Sequence, residues 1–196
     1  ADADQTGLGP GTYKVVATDQ NSCTIESSYT ITEPAALAIA GSLSDHNGFN
    51  ITCNGDNDGA IDVTVTGGIS TYTYAWTTLD GSGLDANTED QTGLNPGTYK
   101  VIATDQNSCT IEASYIITEP EKIDFTGVKK DYNGFNISFS GGSDGEITIT
   151  PTGGSAGYVY EWTQSDGGTG VVAGDKDQTG LTAGTYTLKL SDSNGC

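Results

Sequence analysis

The residues best suited to chemistry in this chain lie in the stretch NGDNDGAID at 54–62. Five of them fall at positions 1, 3, 5, 6 and 9 of a calcium-binding loop: Asn54, Asp56, Asp58, Gly59 and Asp62. The glutamate expected at position 12 is replaced by Val65, and the equivalent stretch at 140–148, SGGSDGEIT, loses most of the ligands. An Asp-Gly turn that leads into a strand is the better interpretation. We therefore predict a turn here and no metal site.

The other reactive side chains do not assemble into a catalytic set. His46 is the only histidine and aligns with Tyr132 in the next copy of the same phrase, so Ser/His/Asp catalysis lacks its partners. Glu161 and Asp166 are conceivable as paired carboxylates, but Glu161 aligns with Ala75 on the exposed face of a strand. The four cysteines form no CxxC motif and no Cys/His cluster, which excludes zinc and thioredoxin chemistry. We expect neither an enzyme nor a cofactor.

The amino-acid composition limits the classes of molecule that this chain is expected to bind. Seven lysines and no arginine stand against 26 acidic residues, giving a formal net charge of −19 and a pI of about 4.1. Phosphate backbones and anionic lipids would repel such a chain, so we expect no nucleic-acid partner. No apolar run reaches 18 residues, so we also expect no membrane insertion. The hydrophobic content of 34% is low, but ten tyrosines and two tryptophans can supply much of a core.

One sequence motif occurs three times in the chain. DQTGLGPGTYK at 4–14 returns as DQTGLNPGTYK at 90–100 and as DQTGLTAGTYT at 177–187, with periods of 86 and then 87 residues. The flanking stretches 4–34 and 90–120 differ at only four of 31 positions. Fixed-period similarity is typical of a repeat array, and a period of this length suits a small independent domain.

The repeats divide the chain into three parts. We predict that residues 1–34 are the C-terminal part of a truncated repeat (repeat one), that 35–120 form a complete repeat (repeat two), and that 121–196 form a repeat lacking its last strand (repeat three). The absence of methionine and the broken outer repeats are expected of a segment of a longer repetitive chain.

Apolar residues alternate along the chain in the manner of strands. In AIDVTVTGG one face carries Ile61, Val63 and Val65, and in TYTYAWT one face carries Tyr72, Tyr74 and Trp76. No stretch shows a helical period, and turn residues separate the runs. Six or seven short strands in about 86 residues predict an all-β fold of tandem immunoglobulin-like β-sandwich repeats, arranged as beads on a string.

Aromatic residues mark the expected cores. The phrase GLNPGTY brings the chain round a corner and starts a strand with a tyrosine, which is typical of the tyrosine corner of immunoglobulin-like domains. We predict this role for Tyr13, Tyr99 and Tyr186. Trp76 and Trp162 alternate with exposed neighbours, so we predict that each is the centre of its repeat's core.

Taken in order, these motifs resemble the SprB repeat. The match consists of CNGxxDGxIxVxVxGG, YxYxW, GLxPGTYxV, DxNxC and ITEP, and it departs where Phe139 replaces Cys53 and Ala183 replaces Pro96. The resemblance implies a repeat of a very large adhesin of gliding Bacteroidetes. It also implies export by type IX secretion and an extracellular, outer-membrane-associated location on the cell surface, where the gliding motor carries the adhesin along.

An extracellular location implies that Cys53 is disulfide-bonded. We favour Cys53–Cys109, because a domain that folds alone should contain its own stabilising disulfide. The alternative is Cys23–Cys53, which would join two repeats. Under the favoured pairing Cys196 is a free thiol, or pairs outside this sequence.

The sequence therefore predicts a structural and adhesive repeat segment that supports gliding motility and surface attachment. Its expected partners are neighbouring repeats of the same chain, extracellular polysaccharide or another surface, and the cell-surface motility machinery through regions outside this sequence. The alternative is an array of carbohydrate-binding modules, with Tyr72 and Tyr158 as stacking platforms.

Overall fold

The computed structural model describes residues 4–196, and that part of the chain forms thirteen β-strands and no helix. The first eight strands are β1 (Gly11–Thr18), β2 (Thr24–Ile31), β3 (Ala38–Leu43), β4 (Gly59–Thr66), β5 (Thr73–Thr78), β6 (Gln91–Leu94), β7 (Gly97–Thr104) and β8 (Thr110–Ile117). The other five are β9 (Asp124–Lys129), β10 (Gly145–Thr152), β11 (Val159–Ser165), β12 (Gln178–Leu181) and β13 (Thr185–Ser191). The predicted all-β class is confirmed.

Repeat two is a sandwich of two antiparallel sheets with three strands each. One sheet has the order β3-β4-β6 and the other β5-β7-β8. In chain order this is the partition of an immunoglobulin-like domain into strands A, B, E and strands C, F, G. Trp76 lies on the third strand and Tyr99 near the start of the fifth, where that fold places its aromatic landmarks. The prediction of immunoglobulin-like sandwich repeats is confirmed.

The core of repeat two follows the alternation in the sequence. Ile61 and Val63 on β4 are buried, while Asp62 and Thr64 between and beyond them are exposed. Trp76 is 3% exposed, and its indole N–H donates to the carbonyl of Thr88 at 2.9 Å. Each fully buried aliphatic side chain contributes about 1.5–3 kcal/mol, so this face supplies most of the stability of the repeat.

The tyrosine corner occurs in all three repeats. The hydroxyl of Tyr99 lies 2.7 Å from the carbonyl oxygen of Asn95, four residues upstream. The same bond joins Tyr13 to Gly9 at 2.9 Å and Tyr186 to Thr182 at 2.7 Å. Tyr99 is fully buried, whereas Tyr13 and Tyr186 are half-buried, because only repeat two has both complete sheets around its tyrosine.

Repeat three has the same plan with one strand fewer. Its sheets have the orders β9-β10-β12 and β11-β13, and no described residue takes the place that β8 has in repeat two. Trp162 remains buried at 8% exposure, and its indole N–H donates to the carbonyl of Asp175 at 2.9 Å. Phe135 and Phe139, near the open position, are 73% and 66% exposed.

The described part of repeat one is a single hairpin of β1 and β2, paired from Gly11↔Ile31 to Thr18↔Thr24. Its side chains are exposed apart from the half-buried Tyr13. The hairpin therefore has nearly the same sequence as β7 and β8, but among the described residues no second sheet packs against it.

Candidate functional site at the junction of two repeats

A disulfide joins repeats two and three. Cys53, in the loop between β3 and β4, is bonded to Cys196, with a Cα–Cα distance of 5.7 Å and a sequence separation of 143 residues. Cys23 and Cys109 are free and exposed. The predicted Cys53–Cys109 bridge is therefore wrong, as are the alternative Cys23–Cys53 and the expectation that Cys196 is a free thiol or pairs outside this sequence.

Cys53 and Cys109 cannot pair, because they lie at opposite ends of repeat two. The Cys53 loop is at the downstream end, where Asn54 donates to the carbonyl of Pro120 at 3.1 Å as the chain leaves the sandwich. The Cys109 loop is at the upstream end, where the carboxylate of Asp105 accepts from the N–H of Ile69. The eight residues of β7 separate the two ends by roughly 26 Å, far more than the ~6 Å that a disulfide spans.

The Asp-x-Asn-x-Cys motif builds the loop that presents Cys196. One carboxylate oxygen of Asp192 accepts from the backbone N–H groups of Asn194 at 2.9 Å and Cys196 at 3.0 Å. The other accepts from the N–H of Ser155 at 2.7 Å. Asp192 is buried, so this one side chain fixes the loop backbone and ties it to the corner before β11.

The same arrangement recurs in the other repeats. Asp105 accepts from the N–H groups of Asn107 and Cys109, both at 2.9 Å. In the hairpin of repeat one, Asp19 accepts from the N–H of Cys23 at 2.9 Å. The motif is thus a structural device that holds a cysteine in a set position at the upstream end of each repeat.

The negative charges of Asp105 and Asp192 stabilise the loops that these side chains organise. Burial raises the pKa of Asp192, but backbone N–H groups, led by that of Ser155, outweigh it and hold the pKa below its usual value. For Asp105 the N–H of Ile69 is the largest influence and likewise lowers the pKa. Both groups are carboxylates at neutral pH, and protonation would weaken the loops they organise.

Asn194 makes three polar contacts across the junction. Its side-chain nitrogen lies 3.1 Å from the carbonyl oxygen of Thr52 and 3.4 Å from that of His46, both in repeat two. Its side-chain oxygen accepts from the amide of Asn47 at 2.5 Å. Asn194 therefore forms hydrogen bonds with the backbone of the loop that contains Cys53. Sequence analysis missed this role, although the asparagine recurs at a fixed place in each Asp-x-Asn-x-Cys motif.

The receiving loop of repeat two is held by its own repeat. Asn47 and Gly48 both have positive φ, 57° and 94°, and form the tight turn between the bridged residues His46 and Phe49. Asn50 clamps the outgoing chain: its N–H donates to the carbonyl of Thr118 at 3.0 Å, and its side-chain oxygen accepts from the N–H of Thr118 at 3.0 Å. The loop is thus anchored independently of repeat three.

The calcium-like stretch supports the same loop. The carboxylate of Asp58 accepts from the N–H of Thr52 at 3.1 Å and from the hydroxyl of that threonine, which lowers its pKa. Asp62 lies on the exposed face of β4. Within residues 4–196, no group of three or more His, Cys, Asp or Glu side chains is arranged to hold a metal ion.

The two tyrosines considered as sugar platforms brace the upstream ends. The hydroxyl of Tyr72 donates to the carbonyl of Gly67, and that of Tyr158 to Gly153, both at 2.6 Å. Both rings are half-buried. Gly67 has a φ of 78°, and a Cβ there would lie 2.0 Å from the carbonyl oxygen of Ala36, so the corner needs glycine against the incoming chain.

The junction limits how repeats two and three can move relative to each other. The peptide linker near Pro120 and the Cys53–Cys196 bond are two covalent connections between the downstream end of repeat two and the upstream end of repeat three. A single linker leaves two domains free to rotate. A second connection, with Asn194 between them, restricts both bending and twisting.

Comparison with known proteins matches two stretches of the chain to one repeat family. Residues 50–81 and 136–167 match the family model of the SprB repeat, so the resemblance predicted from the motifs is confirmed. Each match begins in the loop of Cys53 or Phe139 and extends past the buried tryptophan. SprB repeats are a family of cell-surface proteins, and the disulfide fits an extracellular environment. Neither the curated proteins nor the solved structures contain a match. In the described part of the chain, no helix is long and apolar enough to cross a membrane.

Proposed function

We propose that this chain is a segment of a stiff stalk in a large secreted adhesin, in which SprB repeats are joined end to end by disulfides. The observation that carries the proposal is the Cys53–Cys196 bond across the junction of repeats two and three. The bond joins facing ends of consecutive repeats, which suits a rod more than a compact cluster.

The stability that the bond adds supports this role. Closing a loop of 143 residues removes chain entropy worth about 5 kcal/mol in the loop-closure model. In addition, the covalent bond keeps the facing ends of the two repeats together until it is reduced. The net charge of −19 adds repulsion between repeats and favours an extended chain.

The adhesive part of the proposal rests on repetition and on the SprB resemblance. Near-identical repeats in series present the same surface many times, which raises avidity for a polysaccharide or another solid surface. A stalk displayed outside the outer membrane and exported by type IX secretion would transmit the force of the gliding machinery to such a surface.

Small-angle X-ray scattering of the whole chain tests the stalk. We expect the oxidised protein to fit one fixed arrangement of repeats two and three. Cys53→Ser should require a broader ensemble with variable angles between them. Cys109→Ser is the matched control, because this exposed thiol takes no part in the junction. Equal scattering of both variants would contradict the stiff junction.

The biological role needs a cellular test. Cells that display the full adhesin should attach to a surface under flow and glide, and Cys53→Ser should reduce both while leaving the amount displayed unchanged. Attachment and gliding that persist after deletion of these repeats would rule out the adhesive role.

A further inference from the structure

A cleft lies between repeats two and three, beside the linker that joins them. It has a volume of about 580 Å³, and its lining residues fall between 49 and 158, well inside the sequence. Repeat two contributes Phe49 and Glu119, and repeat three contributes Glu121 and Tyr158. Ligand sites commonly occupy clefts of about 300–1,000 Å³ at domain interfaces, with aromatic walls and a few polar groups. The cleft at this junction has that size and that composition.

Two glutamates give the cleft its charge. Glu119 is half-buried, and its carboxylate accepts from the backbone N–H of Gly55 at 2.6 Å, which fixes its position. Glu121 is exposed, and within residues 4–196 no group forms a hydrogen bond or an ion pair with its carboxylate. Lys122, next to it in the sequence, does not line the cleft. The cleft is therefore negatively charged, and a cationic ligand is complementary to it.

Two aromatic rings form walls of the cleft, and each is held within its own repeat. Phe49 forms a β-bridge with His46 across the tight turn of repeat two. The hydroxyl of Tyr158 donates to the carbonyl of Gly153 at 2.6 Å. Both aromatic residues are half-buried, so part of each side chain is accessible from the cleft. The face of such a ring attracts a cation.

The same chemistry holds an ammonium group elsewhere in the chain. In repeat three the ammonium of Lys130 is paired with the carboxylate of Glu146 and lies 5.4 Å from the centre of the Tyr132 ring. One aromatic ring and one glutamate therefore hold a positive charge that the chain itself supplies. The cleft offers two rings and two carboxylates, and no lysine lines it.

The remaining lining residues are small, which leaves room for a ring-sized ligand. They are Gly153, Gly154, Ala156 and Gly157. The N–H of Gly154 donates to the carbonyl of Glu121 at 2.8 Å, so the linker is fixed against this corner.

The equivalent corner at the upstream end of repeat two has a different composition. Ala35 takes the place of Glu121, and Thr71 takes the place of Gly157. The second carboxylate and the small residue are therefore features of the junction between repeats two and three, and the general plan of the repeat does not require them.

We propose that this cleft binds an amino sugar of a polysaccharide, through a free, protonated amine. Glu119 and Glu121 accept hydrogen bonds from the ammonium group, while Phe49 and Tyr158 pack against the sugar ring. The cleft is wider than the stem of a lysine side chain requires, which favours a sugar over a peptide. The proposal rests on the adhesive part of the proposed function and narrows its ligand to a polysaccharide with free amines.

Isothermal titration calorimetry of the full chain with a glucosamine trimer tests the proposal, in mildly acidic buffer that keeps the amines protonated. The N-acetylglucosamine trimer is the matched ligand, because it keeps the ring and loses the charge. We expect the glucosamine trimer to bind and the acetylated trimer to bind at least about tenfold more weakly. Glu121→Gln should weaken binding of the glucosamine trimer by about tenfold, because the charge of one acceptor is lost. Asp62→Asn removes an exposed charge on β4 and should leave the affinity unchanged.

NMR spectroscopy locates the bound trimer. The amide signals of Gly153, Gly154 and Gly157 should shift, whereas those of Gly67 and Gly68, at the equivalent corner of repeat two, should not. Equal weakening by Glu121→Gln and Asp62→Asn would overturn the site, because it would show only a diffuse attraction to an acidic chain. Equal affinity for the two trimers would overturn the role of the amine. Tighter binding of a lysine tripeptide would overturn the sugar.

The site and the adhesive role can fail separately. If the glucosamine trimer does not bind while cells that display the adhesin still attach under flow, the site is wrong and the adhesive role stands. If the trimer binds as expected but deletion of these repeats leaves attachment unchanged, the site stands and the adhesive role is wrong.

Discussion

Repeats two and three share five strands, a tyrosine corner and a buried tryptophan, yet only repeat two is closed. Ile51 and Val101 are completely buried, whereas their counterparts Ile137 and Leu188 are half-buried. The difference is β8 and the ITEP segment that follows it, which cover the downstream end of the core. The last strand of a repeat is therefore part of its core and not an edge added to a finished sandwich.

The hairpin of repeat one gives the complementary case. Val15 is 51% exposed, while Val101, at the same place in an almost identical sequence, has no exposure at all. Strand pairing alone is thus specified locally, but burial depends on the rest of the sandwich.

The largest expected effect comes from removing the centre of each core. Trp76→Ala should destabilise repeat two by about 3–5 kcal/mol, because it leaves a cavity in a closed core. Trp162→Ala should cost less, because the open core of repeat three can relax around the gap. Urea denaturation followed by circular dichroism measures both. A larger loss for Trp162→Ala would contradict the difference in closure.

Removal of the corner hydroxyl should have a smaller effect that again separates the repeats. In Tyr99→Phe the buried ring loses a hydroxyl that accepts from the N–H of Ser82 at 3.0 Å and donates to the carbonyl of Asn95 at 2.7 Å. We expect a loss of about 1–3 kcal/mol. Tyr13→Phe, in the exposed hairpin, should change the free energy of unfolding by a few tenths of a kcal/mol at most. Equal effects in the same urea experiment would show that the corner acts only locally.

Acid should loosen the cysteine loops. The folded pKa of Asp192 lies below the unfolded value of about 3.9, so its carboxylate stabilises the folded state above that value. The contribution is lost as the pH falls through the folded pKa. Denaturation midpoints between pH 7 and pH 2.5 should therefore fall in acid, and Asp192→Asn should flatten the fall. Asp62→Asn, at an exposed position on β4, is the control and should leave the acid dependence unchanged.

The strands could be predicted from the sequence, because the period-two alternation of apolar residues around Ile61 and Val63 is typical of a strand with one buried face. The tyrosine corner was also predictable, since it depends on a local bond over four residues. The disulfide was mispredicted because proximity between loops depends on which end of the sandwich each occupies. A count of strands would not have corrected it: four strands, β4 to β7, separate Cys53 from Cys109, and β5 and β6 run in the same direction. The role of Asn194 could not be predicted, because it depends on how two repeats meet.

The central claim is that a disulfide joins consecutive repeats, and non-reducing peptide mapping tests it most directly. Digestion of the oxidised chain with free thiols blocked should yield one disulfide-linked pair of peptides containing Cys53 and Cys196, with Cys23 and Cys109 carrying the blocking group. Recovery of Cys53 joined to Cys109 would contradict the account, because it would place the staple inside one repeat and leave the junction with a single covalent connection.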